Sequence, residues 1–556
     1  MTAFLPRITA LADRRAKLSA LLLGLVSATG FAPLNLWPLT LLALAGWMAL
    51  IARSGGGWRA FGIGWAFGVG HFALGLNWIA TAFTYQAAMP AWLGWAAVLL
   101  LSLYLAVYPA LAAWGAWAVQ KFVAPAKAGA ASGLSGADGQ SPIAAPAFAG
   151  ATLSFILAFA ALWTLTEWLR SWMFTGFAWN PLGVILAPTE VLPLLSKWIG
   201  TYGLSGFAIY LAGELITFAQ LRRSKAAPNV KLYTTTIVVL LVLFAVAPWV
   251  RQPDHPLAEL GTIPITVVQP NIGQEDKWEG GKADANFAKL ARLTVPKDGA
   301  PRLILWPEAA IPDYLETGYP PFYYDRSPAE ARGRLTSLMN AHDLMLLGAL
   351  KLELDGTGEA VGARNAVMTV HADGRLGPRY DKAHLVPYGE YLPMRPLLSA
   401  IGLSRLAPGD IDFWPGPGAR TLDLGRFGQA GLQICYEIIF SGQVVDRAHR
   451  PDFIFNPSND AWFGAWGPPQ HLAQARLRAI EEGLPVVRAT PTGISAVIDA
   501  DGRILESIPM HQAGRIDTLM PRPHAATPFA RYGNALSVGF ALLLLALAIA
   551  FRRRGR

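Results

Sequence analysis

AGLQICYE, residues 430–437, is a short apolar run that closes on Cys435, the only cysteine in the chain. Of the five residues before the thiol, Ala430, Gly431, Leu432 and Ile434 are apolar or small, and Gln433 alone is polar. Such a run predicts a strand buried on both faces, and its C-terminal end is where α/β folds place ligands and reactive groups. Comparable runs recur at 265–271 (ITVVQPN), 303–309 (LILWPEA), 344–350 (LMLLGAL), 365–370 (NAVMTV), 453–458 (FIFNPS) and 496–502 (AVIDADG). Amphipathic segments at 283–295, 328–342 and 470–483 fit between several of them. Buried strands separated by helices predict an α/β sandwich over residues 251–530.

The rest of the chain has a different character. Across 556 residues, 53% are hydrophobic and 15% are charged, well below the roughly 25% charge of soluble domains. A mean hydropathy of +0.34 and 20 Trp fit several bilayer spans with interfacial aromatic anchors. Apolar stretches of spanning length fall at about 18–33, 36–53, 58–80, 92–119, 150–172, 195–219, 232–250 and 533–551. Seven spans therefore lie in a membrane domain, residues 1–250, and the eighth lies in the C-terminal segment 531–556. The charged start, MTAFLPRITALADRRAK, lacks a clear cleavage site and reads as the lead into a retained helix.

Loop charge tests the count. Arg7, Arg14, Arg15 and Lys17 precede the first span, and Arg53 and Arg59 separate the second and third. Lys121 and Lys127 follow the fourth, Arg222, Arg223, Lys225 and Lys231 the sixth, and Arg552, Arg553, Arg554 and Arg556 the last. With eight spans every cluster falls on one face, which the positive-inside rule makes cytoplasmic. Both termini and a flexible Ala/Gly/Ser/Pro-rich linker at 124–149 are then cytoplasmic, and the α/β domain is extracytoplasmic. The same clustering accounts for the net charge of +9. No basic helix with interleaved aromatics points to nucleic acid.

Three places carry unusual residues. Glu308 follows an apolar strand in LILWPEAAIP, Lys382 lies in RYDKAHLVPYGEYLP (379–393), and Cys435 ends its own run. Taken singly, a strand-end carboxylate, a loop lysine and a small buried cysteine are ordinary structural features. Together they suit covalent catalysis, because a thiol attacks as thiolate, a nearby ammonium favours the anion, and a carboxylate accepts the proton. His384 and His471 lack companions at metal-ligand spacing, and one cysteine excludes a thiolate-rich site. No metal and no cofactor are expected.

Glu308 after Trp-Pro, the Lys382 loop with Pro387-Tyr388-Gly389-Glu390, and Cys435-Tyr436-Glu437 resemble the Glu-Lys-Cys triad of the nitrilase superfamily, in order. The spans around that domain, with VVQPNIGQEDKW (267–278), HLVPYGEYLP (384–393) and NPSNDAWFG (456–464), resemble its membrane-embedded family, the apolipoprotein N-acyltransferases. The resemblance covers essentially the whole chain. It implies an αββα sandwich, a bacterial inner-membrane location with the catalytic domain periplasmic, and a ping-pong acyl transfer. A phospholipid donates an acyl chain to Cys435, and the α-amino group of a lipoprotein's N-terminal diacylglyceryl-cysteine receives it. Glu308 is then the general base, and Lys382 with the Tyr436 backbone N–H stabilises the oxyanion. The resemblance also places Glu390 close to the triad, and Asn365 and Trp278 near the pocket. Glu437, two residues beyond Cys435, falls on the same face if the strand continues. Trp278 fits a lid or a membrane anchor equally well.

The apolar stretch 391–417 (Leu397, Leu398, Ile401, Leu403, Leu406, Phe413, Trp414) fits an arm in lipid, an acyl channel or a satellite core. Two other readings compete: a membrane-tethered amidase, for which seven spans are an excessive anchor, and a transporter. Against the transporter, Glu167 and Glu214 are the main charges within spans. A monomer is expected.

Overall fold

The structure, a computed structural model, describes residues 12–85, 90–122, 144–221, 260–277, 280–400, 405–406 and 411–554. Trp278, the span expected at 232–250 and all but the last residues of the 124–149 linker lie outside these. Residues 144–149 form the start of a helix. The chain divides into two compact units: residues 1–76, 98–254 and 534–556, and residues 77–97 with 255–533.

The first unit is helical: α1 (Ala16–Ala28), α2 (Trp37–Ala52), α3 (Gly57–Gly75), α4 (Leu93–Leu105, from residue 98), α5 (Val107–Phe122), α6 (Ala144–Arg170) and α7 (Ser196–Leu221), joined at the C-terminus by Asn534–Arg554. Among the described residues, four helical stretches are long and apolar enough to cross a membrane: 93–121, 153–170, 192–218 and 534–552. A fifth arises if Gly57–Gly75 and Ile79–Tyr85 form one bent span. The first two expected spans are shorter apolar helices, α1 and α2. Small residues let these helices approach closely: a Cβ on Gly24 of α1 would sit 2.0 Å from the Phe67 carbonyl oxygen of α3. Glu167 is buried and committed to structure, accepting the Leu182 N–H at 2.8 Å.

The second unit contains two six-stranded sheets. The first has the order β12-β1-β2-β3-β4-β5, with β1 Leu260–Gln269, β2 Leu303–Leu305, β3 Leu344–Leu354, β4 Ala360–His371, β5 Tyr380–Asp381 and β12 Gly514–Pro521. The second has the order β11-β10-β9-β8-β7-β6, with β6 Thr421–Asp423, β7 Gln429–Leu432, β8 Phe453–Pro457, β9 Val486–Ala489, β10 Ser495–Ile498 and β11 Ile504–Ile508. The centres β1-β2-β3 and β7-β8-β9 are parallel, and the flanking pairs are antiparallel. Parallel strands need cover on both faces, which explains their unbroken apolar runs.

Three helices fit the expected segments. They are α8 (Ala283–Thr294), α9 (Pro328–Thr336) and α10 (Gly467–Glu482). Ser327 caps α9 by accepting the Glu330 N–H, with Pro328 at its first position. The expectation of a helix to 342 fails because Asp343 takes the Asn340 and Arg302 N–H groups, which favours a turn over another helical round. Pro468 and Pro469 open α10, and Gly483 at φ 65° closes it. The C-terminal helix Asn534–Arg554 is α11.

Candidate active site

The strand ends gather the candidate residues. Glu308 lies three residues past β2, where Gly348 of β3 comes so close that a Cβ there would stand 2.2 Å from the Ala309 nitrogen. Lys382 follows β5, its N–H donating to the Asn365 carbonyl at 2.8 Å and its carbonyl accepting from Gly416 at 2.7 Å. The Lys382 side chain is buried, with Nζ 2.9 Å from Glu390 Oε1 and 3.6 Å from Glu308 Oε1. Asn365 of β4 bridges the two carboxylates, its Nδ2 donating to Glu308 Oε1 at 2.7 Å and Glu390 Oε1 at 3.1 Å. Glu390 Oε2 accepts the Val386 N–H at 2.8 Å. Burial alone would lower the Lys382 ammonium, but Glu390 and Glu308 outweigh it and keep the group protonated. The second Glu308 oxygen, Oε2, is buried without a hydrogen-bond partner among the described residues.

Cys435 corrects the strand expectation. β7 stops at Leu432, and Cys435 opens a tight turn, Cys435–Ile439, with its own φ at 50°. A non-glycine residue in that region costs on the order of 1–3 kcal/mol and persists only where its surroundings enforce it. Glu437 is therefore not a same-face strand neighbour. Its carboxylate folds back: Oε2 accepts the Ile434 N–H at 2.7 Å, and Oε1 accepts Ala383 N–H at 2.7 Å and His384 N–H at 3.0 Å. Tyr380 OH donates to the same carboxylate at 2.9 Å. One buried carboxylate thus ties the residue before Cys435 to the residues after Lys382. Burial pushes Glu437 up to about 7, against the His384, Ile434 and Ala383 donors and Lys382. Burial and then Glu308 raise the Cys435 thiol, opposed by Lys382, so the resting group is the thiol.

Residues 23–213 match the family described as apolipoprotein N-acyltransferase N-terminal domain, and residues 265–518 match carbon-nitrogen hydrolase. The apolipoprotein N-acyltransferase of Rhodopseudomonas palustris is 33% identical over 96% of this chain and 95% of its own length. That of Brucella melitensis is 34% identical over 83% of this chain and 80% of its own. Saccharomyces cerevisiae Nit3, a nitrilase-superfamily member, aligns with 49% of this chain and 93% of its own at 20% identity, with a TM-score of 0.32.

The chain belongs to the apolipoprotein N-acyltransferase family.

In this member of that family, Glu308, Lys382, Glu390 and Asn365 form one contact cluster, and Glu437 joins the Lys382 loop to the Cys435 turn. The Tyr436 ring is buried against Phe440, 5.2 Å between centroids, and lies 5.7 Å from His384. Trp278 falls outside the described residues. Sequence reasoning passed over Lys277, immediately before it. Its Nζ donates to the Glu308 carbonyl at 2.9 Å, and burial lowers it to about 8 despite Glu308 and Cys435. Beside Glu308 and Lys277 lies a narrow cleft of about 20 Å³, with Ile272, Phe287, Leu290 and Ile311 in its wall. Sequence reasoning also gave no role to a buried set behind Cys435: Ser458, Asp460, His471 and Arg488. The motif NPSNDAWFG carried two of these, but nothing in the spacing joins them to a histidine on α10.

Proposed function

We propose that this chain moves an acyl chain from a phospholipid, through a Cys435 thioester, to the α-amino group of an N-terminal diacylglyceryl-cysteine on an apolipoprotein. The observation that carries this reading is the Glu308 carboxylate. Its Oε1 is held by Asn365, while its Oε2 stands buried and unpartnered in the neighbourhood of a protonated thiol. A buried oxygen with spare acceptor capacity is what a general base needs.

In the first half-reaction Glu308 takes the Sγ proton as Sγ attacks the ester carbonyl. The oxyanion forms against Lys382 Nζ and the Tyr436 N–H. Collapse breaks the ester C–O bond, and Glu308 returns the proton to the departing lysophospholipid oxygen. In the second half-reaction Glu308 takes a proton from the attacking amine, the C–S bond breaks, and Cys435 recovers its proton. Each oxyanion donor contributes about 3–4 kcal/mol by comparison with measured cases. Glu390 holds Lys382 in place, Asn365 orients Glu308, and Glu437 fixes the register of the two loops. Trp278 belongs near the pocket on resemblance alone.

Around this chemistry we place eight spans. Residues 1–250 and 531–556 form the membrane part, the termini and the linker 124–149 are cytoplasmic, and the catalytic domain 251–530 faces the periplasm of a bacterial inner membrane. The alternation of basic clusters supports this, and a single chain carries the complete triad, as a monomer requires. The test is mass spectrometry of the purified protein after incubation with phospholipid bearing an isotope-labelled acyl chain. A labelled adduct on the Cys435 peptide, discharged by a diacylglyceryl-cysteine peptide, is expected. Label retained by Cys435→Ala would sink the assignment.

A further inference from the structure

His471 lies 36 residues from Cys435 in sequence, yet its Nε2 is 3.1 Å from the Cys435 carbonyl oxygen. A carbonyl can only accept, so Nε2 carries the proton. Asn456 Nδ2 approaches the same oxygen at 3.4 Å. His471 is itself held on the other side. Its Nδ1 faces an Arg488 guanidinium nitrogen, the donor on that side, at 3.4 Å, and stands 3.0 Å from Asp460 Oδ1. Ser458 Oγ donates to Asp460 Oδ1 at 2.8 Å, and Arg488 donates to Asp460 Oδ2 at 2.7 Å and to Asn456 Oδ1 at 2.5 Å. The side chains of His471, Asp460 and Arg488 are fully buried. A charged network of this kind is costly to bury and is kept only where its partners are complete.

The Cys435 carbonyl and the Tyr436 N–H belong to one peptide unit. That unit is planar and trans, so its C=O and N–H point in opposite directions. Whatever fixes the carbonyl therefore fixes where the N–H is aimed. The turn needs such a hold, because Cys435 sits at φ 50° and the strand before it has already ended at Leu432.

We propose that His471 is a positioning residue for the oxyanion donor: by gripping the Cys435 carbonyl from behind, it aims the Tyr436 N–H at the acyl oxygen. This rests on the acyl-transfer reading above. His471→Leu keeps the bulk but loses the donor, whereas His471→Gln restores an N–H at a similar reach on the same helix. The Leu variant is expected to lose roughly tenfold to a hundredfold in kcat with KM little changed, and the Gln variant to regain most of that loss. Alkylation of Cys435 by iodoacetamide is a displacement with no tetrahedral oxyanion. Its rate should stay within about threefold of the parent in both variants, by the same donor-specific reasoning. Equal losses in the Leu and Gln variants, or alkylation slowed in step with acyl transfer, would overturn the proposal. Failure of the function reading looks different, because acyl transfer would then survive Cys435→Ala.

Discussion

The two sheets of the α/β unit equip the site in contrasting ways. The first sheet contributes charge. Glu308 after β2, Asn365 on β4, and Lys382 and Glu390 beyond β5 form a buried ion cluster with contacts of 2.7–3.6 Å. The second sheet contributes a held peptide. Cys435 after β7 is gripped through backbone groups, its preceding N–H by Glu437 and its carbonyl by His471. A cluster of charges tolerates small displacements, since Coulomb energy varies slowly with distance. A hydrogen-bonded peptide does not, because an N–H misaligned by tens of degrees loses most of its effect. In the acyl-transfer reading proposed above, the first arrangement sets protonation states and the second sets direction.

The comparison breaks most visibly at Lys382. Lys382→Met leaves the Glu308 and Glu390 carboxylates buried together without the cation between them, which favours uptake of a proton by one of them. Acyl transfer is expected to fall at least about a thousandfold, and Lys382→Arg should not rescue it, because a planar guanidinium cannot replace a point charge between two carboxylates. Retention of a tenth of the parent rate by the Met variant would deny the first sheet its electrostatic role.

Glu437→Gln tests the second sheet's side. The amide keeps one acceptor but turns N–H groups toward backbone donors that the carboxylate now receives. Loss of a charge-assisted hydrogen bond costs about 1.5–3 kcal/mol, so kcat should drop roughly tenfold to a hundredfold. Unlike Lys382→Met, it leaves the ion cluster whole. A parent-like kcat would show that direction matters less than charge.

Next comes backbone packing in the first sheet. Gly348→Ala brings a Cβ to 2.6 Å from the Glu308 Cα, and about 1–3 kcal/mol of stability should be lost in thermal melts. Gly333→Ala on α9, where a Cβ meets nothing within 4 Å, should instead stabilise by about 0.5–1 kcal/mol. Equal melting temperatures for the two variants would refute the packing account.

The smallest effect is on pH. Glu437 in the folded state titrates at about 7, above the ordinary 4.5, so the folded form binds its proton more tightly. Its contribution is complete below about 4.5 and declines as pH rises to 7. Asp460 runs the other way. Burial opposes ionisation, but Arg488 and His471 hold it at about 2, so its contribution is complete above 3.8 and is lost as pH falls through 2. Melting temperature should rise from acid toward pH 4 and sag toward 7; Glu437→Gln should make the sag shallower and leave the part due to Glu482, which burial also pushes up to about 7.

How much of this could be read beforehand follows from the distances involved. Glu308 and Cys435 sit near the ends of apolar runs, which local pattern marks, whereas Lys382 is an ordinary loop lysine by local pattern and is singled out only by the motif around it. All seven expected strand runs overlap observed strands. Five strands were not foreseen: β5 and β6 because two or three residues carry no period, and β9, β11 and β12, of four to eight residues, as well. The strand was expected to reach Cys435 because all but Gln433 of the five preceding residues are apolar or small. Tertiary holds on both sides of the thiol override that pattern. His471, Asp460 and Arg488 depend on pairings across 11 to 36 residues that no local pattern records.

The solitary cysteine has a chemical cost. A thiol oxidised to sulfenic acid is ordinarily rescued when a neighbouring cysteine closes a disulfide that reductants can open. Cys435 has no second cysteine anywhere in its chain. Once it is oxidised, recovery falls to reductants outside the chain, and they must reach a residue that is only 5% exposed. The burial that shields the thiol from oxidants also delays its repair.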